Sequence, residues 1–154
     1  MGAAYFYHLT RAPLDQTLPM LLEKSLQAGW RVVVRGPDEG LMHHLDLKLW
    51  QGADDSFLPH GVAGGAQDAL QPVLLGLSVT AADNGASCLM SVGGADVSAE
   101  EVQALDRVCI LFDGLDEQAV QHARTQWKAL TGAGCAAQYW SEESGRWEKK
   151  AEAG

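Results

Sequence analysis

The chain has 154 residues, 47% of them hydrophobic, with 11 basic and 20 acidic side chains and a formal net charge of −9. That length reads as one domain able to bury about 70% of its unfolded surface, and the apolar content argues against disorder. The acidic balance repels phosphate backbones and so disfavours strong direct nucleic-acid binding, while no apolar run reaches the roughly 18 residues that would span a membrane.

The opening "MGAAYFYHLT" carries no basic n-region and no long apolar stretch, so it does not read as a signal peptide. Gly2 suggests myristoylation, but Phe6 stands where that motif needs Ser or Thr. The expectation is a cytoplasmic protein. Cys88, Cys109 and Cys135 are widely spaced, odd in number and set in apolar runs. They suit small buried hydrophobes in a reducing compartment, not a disulfide framework.

"AAYFYHL" (residues 3–9) reads as an aromatic-rich strand. "LDQTLPMLLEKSLQAG" follows with Leu14, Leu18, Leu21, Leu22 and Leu26 near helical spacing, Gly29 as its stop and Pro19 expected in its first turn. "RVVVR" (31–35) is a β-branched run suited to a buried parallel strand. A second helix follows, with Asp38 as N-cap and Leu41, Leu45 and Leu49 on one face.

Strand–helix–strand–helix opens an α/β layered domain with right-handed crossovers. "PVLLGLSVTA" and "SCLMSV" are two further strand-like runs, and Asn84-Gly85 between them is a hairpin signal. "RVCILF" (107–112) reads as another buried strand, and "LDEQAVQHARTQWKALTGAG" as a helix with Asp116 near its start and Gly132 or Gly134 at its end. "CAAQYW" reads as a last strand. Residues 1–148 then form a single domain, with 149–154 a polar tail whose composition favours fraying, and one short extended piece at Gly145 to Trp147.

Such a fold invites a search for phosphate loops. "HLTRAPLD" and "RGPDEG", the two early strand-to-helix turns, fit neither the Walker pattern nor GxGxxG. "GVAGG" follows no clear strand and opens no clear helix. A Rossmann-like domain without its nucleotide-binding loop is expected to take neither ATP nor NAD, and no cofactor is implied. His43 and His44 are adjacent on a helix and point about 100° apart, so they share no metal face. No CxxC or GxSxG occurs, and no pair of carboxylates is singled out for catalysis.

Two features remain. In "ARTQWKAL", Arg124 and Lys128 are i and i+4 on a helix, with Trp127 beside them. Two cations flanking an indole suit an acidic peptide with an aromatic side chain; the other reading is a solvated helix face with Trp127 packed inward. In "DDSFLPHGVAGG" (54–65), Phe57 stands where the surroundings suggest exposed chain, either as a buried loop anchor or as a partner's docking point.

"YFYHL", "GWRVVVRGPDEGLMHHLDLKLW", "SFLPHGVAG", "PVLLG", the late Ala123-Arg124 with "WKAL", and "YW" followed by "GRWEKK" occur in order over nearly the whole chain. Together they resemble the chi subunit of bacterial DNA polymerase III; the stretches Ala81 to Ser87 and Gly93 to Leu105 depart from the pattern. The resemblance implies a single Rossmann-like three-layer α/β domain with a mixed, mainly parallel sheet. It also implies a noncatalytic adaptor that pairs with the psi subunit of the clamp loader and binds the acidic C-terminal tail of single-stranded DNA-binding protein.

By the same resemblance, Arg124 and Lys128 match the basic pair that grips the tail, and Trp127 the aromatic position between them. Val120 and Thr131 stand where relatives carry further basic residues, so tail binding is expected either to be weaker or to borrow Arg146, Lys149 or Lys150. Phe57 matches the aromatic that contacts psi, with Leu58 and His60 in the same face and Pro59 stiffening the loop. Alternatives are a related module that recruits a repair helicase, and an orphan Rossmann-like enzyme.

Overall fold

Side chains alternate across a pleated strand, and on β1 (Ala3–Leu9) this sorts the whole molecule. Ala4 and Phe6 are buried on one side of the sheet, while Leu9 is buried and Tyr7 packed on the other. The computed structural model describes residues 2–11, 13–51, 60–142, 144, 146–153. Among them the sheet has eight strands in the order β3-β4-β2-β5-β6-β1-β7-β8. These are β1, β2 (Val32–Arg35), β3 (Gly61–Val62), β4 (Val73–Gly76), β5 (Cys88–Ser91), β6 (Arg107–Asp113), β7 (Ala136–Ser141) and β8 (Glu148–Ala153). All neighbours pair in parallel except β7 and β8, which are antiparallel.

Helices α1 (Leu14–Gln27) and α2 (Glu39–Trp50) supply Leu18, Leu22, Met42, Leu45 and Leu49 to one core. Helices α3 (Ala99–Ala104) and α4 (Glu117–Gly132) supply Val102, Ala123 and Leu130 to the other. The result is a three-layer Rossmann-like α/β domain. Val32, Val33 and Val34 are fully buried, as their unbroken apolar run requires when both faces of a parallel strand are covered. The three cysteines are buried and free. The Cys109 thiol is pushed well up by its hydrogen bond with Cys88 and by burial, so it stays protonated and packs as a small apolar group. Among the described residues no helix is long and apolar enough to cross a membrane.

Helix caps follow the sequence. The Asp38 carboxylate accepts from the Leu41 amide at 2.8 Å, and that of Asp116 from the Gln118 amide at 3.0 Å. Pro19 differs: it lies in the second turn of α1, not the first. Pro13 occupies the N-cap, and its carbonyl receives the amides of Gln16 and Thr17 at 3.0 and 3.1 Å.

Asn84-Gly85 is not a hairpin either. Strands β4 and β5 flank β2 on opposite sides and run parallel to it, so the chain between them has to cross over. Asn84 keeps a negative φ of −135° and is buried, with its amide nitrogen donating to the carbonyls of Val32 (3.1 Å) and Gln71 (2.9 Å). Only Gly85 takes a positive φ, 70°. The C-terminal segment, where composition favours fraying, forms β8. Trp147 just before it meets Tyr7 edge-on at 5.5 Å and anchors the strand to the sheet.

Arg35, the last residue of β2, ties two connections and the start of α3 together. Its guanidinium donates to the Val79 carbonyl at 2.9 and 3.1 Å, to the Asp96 carbonyl at 2.9 Å, and to both oxygens of Glu101 at 3.0 and 2.6 Å. Glu101 also closes a capping box with Ser98 at the start of α3. This cluster fills the carboxyl end of β2, the edge where doubly wound sheets receive ligands.

The hydrogen bond from Arg35 holds the Glu101 carboxyl below the ordinary carboxylate range. Unfolded Glu101 therefore binds its proton more readily than folded Glu101. The contribution of the pair is complete above the ordinary carboxylate value and is lost as pH falls through the depressed folded value. Glu101→Gln should lower stability near neutrality by about 2 kcal/mol, below the full range for a buried pair because both side chains keep some solvent contact. It should also flatten the acid limb of the stability profile. Urea unfolding across the acid range checks both; an unchanged acid limb would show that another carboxylate governs it.

Candidate functional site

Along α4 the buried stripe is Ala123, Gln126 and Leu130, which leaves Arg124 and Lys128 exposed one turn apart. Trp127 lies between the two environments. Its indole meets Phe6 edge-on at 5.3 Å and Tyr139 at 6.1 Å, and it also forms part of the wall of an open cleft. The cleft encloses ≈ 570 Å³ and is lined by Arg124, Trp127, Lys128 and Tyr139, with His8 and Ser141 at its floor and Lys150 and Ala151 of β8 across from α4. Trp127 thus packs inward on one side and lines the cleft on the other.

Among the described residues no carboxylate lines this cleft. Among the described residues, neither Arg124 nor Lys128 is paired with an acidic side chain. Of the extra cations considered from the sequence, Lys150 alone lines the cleft. Lys149 is tied to Glu152 at 3.2 Å, and Arg146 to Glu148 at 3.4 Å. Lys150 is itself held 3.4 Å from Glu148. The Glu148 carboxyl is kept low first by the Ser144 hydroxyl and then by Lys150 and Arg146, so it remains an acceptor for all three. Thr131 returns its hydroxyl to the Trp127 carbonyl at 2.7 Å, and Val120 packs against the core, so neither adds to the site.

A second exposed surface lies at the end of α2. Leu47 and Trp50 are 54% and 59% exposed, large apolar side chains that fall outside the Leu45–Leu49 stripe. Phe57 and Leu58, singled out from the sequence, lie outside the described residues, as does Pro59. His60 is described, and it does not face outward: its side chain is fully buried. Its Nε2 is 3.0 Å from the Asp46 carboxylate and 3.3 Å from the Asp46 carbonyl. Two acceptors at one nitrogen place the proton there. The ring packs on Trp50 at 4.6 Å between centroids, so His60 serves the surface by supporting the indole above it. Trp50 was legible as an aromatic off the buried helical phase, a signal that sequence reasoning passed over.

Among the described residues no group of three or more His, Cys, Asp or Glu side chains is placed to hold a metal ion.

The family model described as "DNA polymerase III chi subunit, HolC" matches residues 1–138. A Pseudomonas aeruginosa protein named DNA polymerase III subunit chi is 39% identical over 57 residues, a stretch covering 37% of this chain and 39% of that relative. Chi subunits are accessory, not catalytic, components of the polymerase complex in DNA replication. A family match over most of the chain, on a three-layer domain whose β2 edge is filled by its own side chains, places this protein in the DNA polymerase III chi subunit family.

Proposed function

We propose that the chain is a noncatalytic adaptor of the cytoplasmic replisome, pairing with the psi subunit of the clamp loader and binding the acidic C-terminal tail of single-stranded DNA-binding protein. The observation that carries this reading is the α4 cleft. In a chain of net charge −9 it gathers Arg124, Lys128 and Lys150 around Trp127 and Tyr139, with no carboxylate among the described residues of its lining. Carboxylates of a tail fit the cations, and a phenylalanine fits the ring-walled floor. The psi-facing surface comprises the end of α2, where His60 supports Trp50, together with Phe57 and Leu58.

A labelled peptide ending in acidic residues and phenylalanine tests the first contact. Arg124→Ala should weaken binding about tenfold or more, because a guanidinium grips a carboxylate with two hydrogen bonds. Lys128→Ala should cost less, and Lys150→Ala least, since Glu148 already holds that ammonium. Affinity should fall as salt rises, screening acting over about 8 Å at physiological ionic strength. Equal affinities for wild type and all three variants would place the tail elsewhere.

Phe57→Ala should leave the melting temperature and the tail titration unchanged yet lower capture of psi about thirtyfold, the effect of truncating an interface hot spot. Trp50→Ala should act in the same direction. A large fall in melting temperature with undiminished psi binding would make Phe57 a buried anchor instead. A repair helicase that competes with psi for the same face would show that surface to be shared between two partners.

A further inference from the structure

The face of the sheet opposite the α4 cleft holds a second cavity, of ≈ 530 Å³, between α1, β1, β7 and the segment leading into β8. That volume lies within the range of small-ligand sites, which are mostly apolar with a few converging polar groups. Its walls include Tyr5, Trp30, Trp140 and Trp147, and its cations are Arg107 and Lys24. Among the described residues no carboxylate lines it, although acidic residues outnumber basic ones 20 to 11 in the chain.

Arg107 is the unusual group. Its guanidinium carbon lies 4.3 Å from the ring centroid of Tyr5 and 5.1 Å from that of Trp30. Among the described residues it meets no acidic side chain and donates no hydrogen bond from its guanidinium. Contact with ring faces leaves the in-plane N–H donors of a guanidinium uncommitted, and those donors match a carboxylate in geometry and charge. Burial and then the neighbouring Cys109 push the Tyr7 phenol up, so it adds no negative charge. Trp140 is fixed by its Nε1 donating to the Gln138 side chain at 3.0 Å.

We propose that this cavity binds a compact aromatic anion, one or two fused rings bearing a carboxylate, with the carboxylate on Arg107 and Lys24 and the rings against Trp30 and Trp147. The site lies on the other face of the sheet from the tail-binding cleft and stands independently of that reading.

The test is heteronuclear NMR of the full chain titrated with naphthoate and, separately, with the uncharged naphthalenemethanol, following the indole N–H signals assigned by Trp→Phe variants. Naphthoate should shift Trp30, Trp140 and Trp147 saturably, leave Trp127 in place, and bind about tenfold more tightly than the alcohol, the difference a charge-assisted contact makes. Arg107→Gln should erase the preference for the anion. Lys24→Ala, a change on an exposed side chain, should reduce it and carries the comparison if Arg107→Gln fails to fold. Equal affinity for acid and alcohol, a shift confined to Trp127, or no saturable shift would overturn the proposal.

Discussion

The alternation of side chains along β1 is the constraint on which both faces of this molecule depend. Between β6 and β7, the strand sends Phe6 and His8 toward α4 and Tyr5 and Tyr7 toward α1. Phe6, fully buried, gives Trp127 an edge-on partner, and the indole then stands firm between Arg124 and Lys128. Tyr5 gives Arg107 a ring to lie on, and Tyr7 gives Trp147 its anchor. A slip of one residue in the pairing of β1 would exchange these sets and remove both clefts together.

The Arg35 cluster works at right angles to that constraint. It holds the carboxyl end of β2 to the connections on either side and to the first turn of α3, so the end of that strand is filled by hydrogen-bonded side chains. The surfaces proposed for partners lie instead on helices: the exposed side of α4 and the end of α2. This is consistent with an accessory subunit, whose surfaces and not whose crevice meet other proteins. A doubly wound fold carries no function of its own, and the side chains on it decide.

Local chemistry was legible where it was decided locally. The valine run of β2, the Asp38 and Asp116 caps and the convergence of Arg124, Trp127 and Lys128 all follow from spacing within one element. Features fixed by distant partners were not. Asn84-Gly85 carries a hairpin signal, but the amide of Asn84 is spent on Val32 and Gln71, across the crossover. His60 sits in a loop-like stretch, yet Asp46 draws it fully inside. Lys150 joins the cleft only because β8 pairs with β7, in a segment whose composition alone suggested fraying. The short helix α3 was missed although Ser98 and Glu101 spell out its capping box.

Strand β8 also bears on how the protein behaves among its neighbours at high concentration. Without it, β7 would present the edge of "AAQYWS", an aromatic-rich strand with unpaired amides and carbonyls, a template for other chains. With it, the outermost strand is "EKKAEA", whose lysines and glutamates discourage another strand from adding. The same short segment that contributes a cation to the α4 cleft therefore guards the sheet against its own kind.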